Sequence, residues 1–407
     1  MFFSATPQPL GTYSRFMMDD FQDRNIVSVK TGFMAFFGRP EAGGRTRFNP
    51  DAAVFDYDII RGNRRLGALV PRGMDGRSVG DKQKNTRAQR YTTTARVMPL
   101  GEEEGDIQAS QLLLRQAGET PQQTQTRLDR MRSLAMDHHD EHARRFTRTM
   151  EYLAAQSVLT GKMPTLLGSG VAADQIFDWR RSAGNIYSVP TVWTDPAADI
   201  FGNIDYACER VDVKGMANPD FIGFSSSAIV AFLKDADVKE KSDNRRWNLI
   251  NVGDNRFTLP DRFARFVEGG WKARGFLQTP NGYELYMFTS NYTYDDDTGS
   301  SEKYMPDGSV IVADSQARYD RIFGPPEVLP DIPQRQEQMR QLFGFSPTDP
   351  QLPDNIAGLG TTVPPAAFYF DAYMPDNWKS ATIRTQISPV FVPVQTDAIC
   401  TLTDVTP

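Results

Sequence analysis

Three histidines stand together in Asp137-His138-His139-Asp140-Glu141-His142, and they are all the histidines of the chain. His138 and His142 are four residues apart, so a helix would present both imidazoles on one face at a spacing that suits a metal ion. The zinc hydrolases that use this spacing need glutamate directly after the first histidine as general base, and His139 stands there instead. The cluster fits a polar patch on a helix, or a contact between copies, better than a metal centre. A metal-dependent hydrolase using His138, His139 and His142 is the rival reading. Asp297-Thr298-Gly299 has the triplet of aspartic proteases, which share one proton between two aspartates, each following an apolar strand. Asp295 and Asp296 precede it directly, so a solvated hairpin tip, or weak calcium binding, is the simpler reading. Gly168-Ser169-Gly170-Val171-Ala172-Ala173 loosely fits a dinucleotide fingerprint, but Pro164 breaks the strand that should precede it and no clear helix follows. Ser225-Ser226-Ser227 reads as a helix cap before Ala228–Lys234. With only three clustered histidines, a serine triad has few possible bases. Walker loop, CxxC pair and nucleophile elbow are all missing from the sequence. The expectation is a protein that is not an enzyme, with no catalytic, cofactor-binding or metal-ligating residues.

The elements that would have to position any site are those of a large folded chain. The 407 residues, 40% hydrophobic and 24% charged, are enough for two or three domains with a sizeable core. The net charge of −6 argues against binding nucleic acid through overall charge. Its distribution is more informative. Arg61, Arg64, Arg65, Arg72, Arg77, Lys82, Lys84, Arg87, Arg90 and Arg96 are opposed only by Asp75 and Asp81, a local +8 that leaves about −14 for the rest. A basic segment on an acidic protein can dock on acidic surface, of another copy or of DNA, or stand as a solvated loop. Two cysteines, Cys208 and Cys400, suit a reducing cytosol better than a disulfide scaffold. No apolar run approaches the ~20 residues that span a bilayer, and Met1-Phe2-Phe3-Ser4-Ala5-Thr6-Pro7 lacks the basic leader of a signal peptide. The expectation is a protein made and used in the cytoplasm, without a membrane partner.

Along the chain, 1–50 reads as an arm in which Phe33, Met34, Phe36 and Phe37 alternate with glycine, proline and charge. An arm unable to bury its own aromatics needs a neighbour to bury them. Residues 51–105 read as a long two-stranded ribbon with a basic, glycine-rich tip. Phe55, Tyr57 and Ile59 alternate with Asp56, Asp58 and Ile60, a partial period-2 pattern, and 91–97 is strongly β-prone. A lone ribbon is marginal in water, so it makes sense lying on another subunit. Thr120-Pro121 opens the strongest helix, 121–160, with Leu128, Met131, Ala135, Phe146, Met150 and Leu153 at helical spacing and Gly161 as its stop. At ~1.5 Å per residue that helix is about 60 Å long. A second helix is predicted at 198–214, a buried strand at 221–225 and a helix at 226–241. Short strands follow over 283–323, with turns at 295–300 and 306–308. The proline-crowded stretch 324–365 reads as an inserted surface excursion, and 366–407 returns to strands, with 381–394 long and β-rich. The fold class is α+β.

A series of motifs in order carries a resemblance. Ile176-Phe177-Asp178-Trp179 is followed by Trp193-Thr194-Asp195-Pro196-Ala197-Ala198-Asp199-Ile200, Ile222-Gly223-Phe224-Ser225, Ala231-Phe232-Leu233-Lys234 and Val238-Lys239-Glu240-Lys241. Then come Tyr304-Met305-Pro306-Asp307-Gly308 leading into Val310-Ile311-Val312, Gly324 after the strand ending at Phe323, Pro375-Asp376-Asn377-Trp378, and Gln386-Ile387-Ser388-Pro389-Val390. From about residue 120 to 405 the chain resembles the lambda-type tailed-phage major capsid protein family, with the Hong Kong 97 fold. The 324–365 segment is longer than the family's usual connection.

The resemblance implies an N-terminal arm at 1–52, an extended loop at 53–105, and a peripheral domain at 106–195 with spine helix 121–160. It further implies an axial domain at 196–365 with the proline-rich insertion 324–365, and C-terminal strands at 366–407 that return through the peripheral to the axial domain. It implies a capsid subunit that assembles with itself into hexamers and pentamers of an icosahedral shell around phage double-stranded DNA. Separate scaffolding, portal and decoration proteins, non-specific DNA contact and a place in the virion go with it. An encapsulating compartment of the same fold is the related alternative. The candidate subunit-contact residues are Arg61, Arg64, Arg65, Arg72, Arg77, Lys82, Lys84, Arg87 and Arg90, with Phe33, Phe36 and Phe37 from the arm.

Overall fold

A computed structural model of the chain describes residues 30–39, 44–48, 54–62, 88–96, 100–107, 144–164, 176–243, 259–295, 300–323, 368–373, 381–387 and 389–407. The N-terminal strands are β1 (Thr46–Phe48), β2 (Val54–Gly62), β3 (Ala88–Arg96) and β4 (Leu100–Ile107). A helix, α1 (144–159), is followed by β5 (Lys162–Pro164), β6 (Ile176–Asp178) and β7 (Ile186–Ser188). Next come α2 (Ile200–Gly215), β8 (Phe221–Ser225), α3 (Ser226–Lys234), α4 (Ala236–Asp243) and α5 (Ala264–Glu268). The strands β9 (Lys272–Gln278), β10 (Glu284–Ser290), β11 (Thr293–Asp295), β12 (Ser301–Lys303), β13 (Val310–Ala313) and β14 (Tyr319–Phe323) follow. The chain closes with β15 (Phe368–Tyr373), β16 (Ala381–Ile387), β17 (Pro389–Pro393) and β18 (Ile399–Thr403). The mixture is α+β.

The main sheet has the order β7-β18-β13-β8-β10-β9. Its centre is apolar because both faces are covered: every residue of β8 and β13 is buried. The neighbours run both ways, with β10 parallel to β8 and β13 antiparallel to it. Helix α2 lays Ile200, Phe201, Ile204, Ala207, Cys208 and Val211 onto the core, a stripe at three- and four-residue spacing. The Asp199 carboxylate caps its first turn, accepting from the Gly202 N–H at 2.8 Å. Ser225 caps α3 as its sequence suggests, accepting from the Ala228 N–H.

The single helix predicted over 226–241 is two. Asp235 leaves helical geometry with φ −59° and ψ 144°, and its carboxylate then caps α4 through the Val238 N–H at 2.9 Å. The β-rich stretch 381–394 also divides. β16 joins a sheet of order β15-β16-β4, and β17 joins one of order β1-β14-β17. β17 begins and ends in proline, which is tolerated because it is an edge strand.

Helix α1 buries Phe146, Thr147, Met150, Glu151, Leu153, Ala154, Ser157 and Val158. It stops at Gly161, whose φ of +68° favours glycine. Beyond that stop, Arg181 donates to the carbonyls of Ser157, Val158 and Leu159. The Thr401 hydroxyl adds a bond to the Leu159 carbonyl. Residues 121–143, the first part of the predicted spine helix, lie outside the described residues, as does the proline-rich segment 324–365.

Candidate functional site

The parts of this chain that could act on another copy are the arm and the ribbon, and α1 bears a side chain that holds part of the arm. The arm segment 30–39 is held from both ends. The Thr31 N–H donates to the Gly269 carbonyl at 2.8 Å, and the Gly38 N–H donates to the Tyr319 carbonyl at 2.9 Å. Gly32 makes the first approach possible, because a Cβ there would stand 2.5 Å from the Trp271 ring. Arg39 reaches into the interior and donates to the carbonyls of Ser315 and Arg262 at 2.7 and 2.9 Å. β1 then pairs in parallel with β14.

Phe33 and Phe36 are 0% exposed and Phe37 is 2% exposed, in the body of their own chain. Within the single chain, then, the three rings expected to meet a neighbouring copy pack on their own body. Phe33 meets Trp271 edge-on at 5.2 Å between centroids. Phe36 sits 4.7 Å from Phe266 and 5.1 Å from Phe221. Phe37 lies between Tyr319 at 5.7 Å and Phe391 at 5.2 Å. The physical reason is that an aromatic cage from residues 221–391, remote in sequence, buries a segment that has no core of its own.

Glu151 lies under this segment and was not singled out by its sequence. Its carboxylate accepts from the Phe33 N–H at 2.6 Å, the Met34 N–H at 2.9 Å and the Tyr292 hydroxyl at 2.5 Å. It is fully buried. Loss of water outweighs the three donors and lifts its pKa to about 7. A signal was present: Glu151 shares a helix face with Thr147, Ala154 and Val158, all buried, where a charged residue is out of pattern. The hydroxyl of Tyr304 donates to the Arg148 carbonyl at 3.2 Å beside it.

In the ribbon, β2 and β3 pair antiparallel over their full length, from Val54 opposite Arg96 to Gly62 opposite Ala88. Arg61 stands opposite Gln89, and Arg90 opposite Ile60. Arg64, Arg65, Arg72, Arg77, Lys82, Lys84 and Arg87 fall outside the described residues. β2 also runs beside α2 and the 3-10 turn Thr396–Ala398, so the base of the ribbon meets its own body. β4 carries Glu102, Glu103 and Glu104, and its register puts Glu103 opposite Arg384 of β16.

His138, His139 and His142, the Asp297-Thr298-Gly299 triplet and the glycine-rich run 168–173 lie outside the described residues. Among the described residues no cluster of three histidine, cysteine or acidic side chains could hold a metal, and no helix is long and apolar enough to cross a membrane. Cys208 and Cys400 are buried free thiols. Burial raises both above the ordinary thiol range, which suppresses the reactive thiolate.

A family model described as phage major capsid protein E matches residues 46–403. The chain belongs to that family. No curated protein matches it. Among solved structures, a protein described as the capsid protein of a prophage of Escherichia coli CFT073 superposes with a TM-score of 0.59 at 14% identity, over 96% of this chain and 98% of that one. At that identity the likeness speaks for a common fold, the capsid fold anticipated from the motifs. The capsid of Ralstonia phage GP4 is similar with a TM-score of 0.45 and 11% identity over 93% of each chain. The SrpI encapsulin of Synechococcus elongatus PCC 7942 has 0.38 and 10%, over 89% of this chain and 86% of that one. These last two are too loose to be given weight. As a member of the phage major capsid protein E family, the chain is a structural subunit of a phage shell and assembles with copies of itself.

Proposed function

We propose that this chain forms the hexamers and pentamers of an icosahedral shell that encloses the double-stranded DNA of a tailed phage. The family match carries the reading, because it spans residues 46–403, from β1 to the last strand of the chain. The proposed division is arm 1–52, extended loop 53–105, peripheral domain 106–195, axial domain 196–365 and returning strands 366–407. Sheet connectivity supports a C-terminal tract that ties regions together: β16 pairs with β4, β17 with β14, and β18 with β13.

Each subunit buries surface on several neighbours, in interfaces of the obligate class, and closed rings tile into a shell. The basic stretch 61–96 supplies charge that steers a neighbour's acidic surface into register and penalises wrong pairings. Arg61, Arg64, Arg65, Arg72, Arg77, Lys82, Lys84, Arg87 and Arg90 are the proposed contact residues. An acidic remainder keeps contact with packaged DNA weak and non-specific. Scaffolding, portal and decoration proteins are separate chains in this reading, and assembly takes place in the host cytoplasm.

Expression of the full chain followed by electron microscopy tests the reading. Rings, tubes or closed shells are expected. A stable monomer carrying stoichiometric zinc, with an activity lost in His138→Ala, would replace it with a hydrolase. Closed shells from the native source that hold a protein cargo and no DNA would replace it with a compartment.

A further inference from the structure

We propose that Glu151 is a proton-operated latch that seats the arm segment 30–39 on α1. The geometry carries this. A single carboxylate joins three parts of the chain: the arm through two backbone N–H groups, the helix that bears it, and Tyr292 between β10 and β11. Its bonds span 118, 117 and 141 residues of sequence, so nothing local holds the partners together. Phe33, directly beside the latch, and Phe36 and Phe37, one turn further on, are the residues whose burial depends on the segment staying seated.

The groups around Glu151 do not neutralise it. From the arm, the Lys30 ammonium lies 5.9 Å from the centroid of the Tyr292 ring. From α1, Arg148 offers its backbone carbonyl to Tyr304, and Tyr152 packs edge-on against Tyr294 at 5.2 Å. From the region around β11 and β12 come Tyr292, Tyr304 and Tyr294, the last donating to Glu302 at 2.8 Å. Among the described residues no cation comes within ion-pair range of the Glu151 carboxylate. An ionised Glu151 is then held by hydrogen bonds alone in a dry site, which is costly without a counter-charge.

The direction follows from linkage. Seated, the carboxyl has a pKa of about 7, against an ordinary 4.5 when it is released to water. The seated state therefore binds the proton more tightly. Its contribution to seating is complete below pH ~4.5 and is lost as the pH rises through ~7. The aromatic contacts remain, so the segment does not detach; it opens more often.

Hydrogen exchange of the peptide covering 30–39, in the full-length chain and corrected for intrinsic exchange, reads that opening. Between pH ~5 and ~8 protection in the wild type should fall on the order of 10- to 100-fold. Glu151→Gln, which keeps the shape and removes the titration, should make protection flat with pH. Tyr292→Phe keeps the ring and removes one donor to the ionised form, so the midpoint should move to higher pH. A Glu151→Gln profile with the wild-type slope, or a flat wild-type profile, overturns the proposal. If Glu151→Gln does not fold, the Tyr292→Phe midpoint decides, and an unmoved midpoint overturns it.

Discussion

The Arg181 guanidinium donates to the Val158 carbonyl at 2.7 Å, closing the C-terminal end of α1 from outside it. The last carbonyls of any helix lack intrahelical partners, and here a side chain from beyond β6 supplies them. The same guanidinium reaches Ser157 and Leu159. Burial lowers its pKa to about 10, which leaves it cationic at neutral pH. It thereby fixes where the helix hands over to the strands that follow.

Replacing Arg181 with Met should destabilise the subunit by about 2–4 kcal/mol, because three carbonyls lose a charged donor in a poorly hydrated place. Urea unfolding of the unassembled chain measures this. Arg181→Lys should recover only part of the loss, since an ammonium cannot reach all three acceptors as a planar fork can. Full recovery by lysine would argue against the capping role.

Phe36→Ala should cost about 3–5 kcal/mol, the usual range for emptying a buried aromatic site. The loss should appear in the unfolding midpoint of the lone subunit, before any assembly takes place. If subunit stability were unchanged while assembly failed, Phe36 would belong to an interface between copies after all.

Asp220 gives a pH prediction. Its carboxylate accepts from the Ser315 N–H and hydroxyl, each at 2.7 Å, and lies 3.4 Å from Arg262. Burial is the dominant influence and raises its pKa from 3.8 to about 6. The folded state then holds the proton more tightly, so this group's contribution is complete below pH ~3.8 and is lost as pH rises through ~6. Comparing urea midpoints at pH 4.5 and 7.5, the wild type should lose more stability between the two than Asp220→Asn does. Parallel pH profiles would reject the assignment.

Changing Arg61, Arg64 and Arg65 together to Gln should slow assembly, followed by light scattering, while leaving the thermal melt of the subunit within about 0.5 kcal/mol of wild type. Raising the salt should reproduce part of the defect in the wild type, because steering by exposed charge is screened. A melting loss with normal assembly kinetics would place these arginines in the fold of their own chain.

The sequence by itself determined much of the local structure. Alternation at Phe55, Tyr57 and Ile59 marked β2, the spacing of Phe146, Met150 and Leu153 marked α1, and Ser225 marked the start of α3, because each is a local pattern set by strand or helix periodicity and capping. The ordered motifs from Ile176 to Val390 also pointed to the capsid family. What only the tertiary structure decided is who covers whom. Phe33, Phe36 and Phe37 read as aromatics in search of a neighbour, yet Trp271, Phe221, Phe266, Tyr319 and Phe391 bury them within the same chain. Glu151 read as one more charge on a helix that carries many, yet its partners lie more than a hundred residues away. Contacts at that separation leave no trace in local periodicity, since the free energy of burial depends on what is packed nearby in space and not on what is adjacent in the chain.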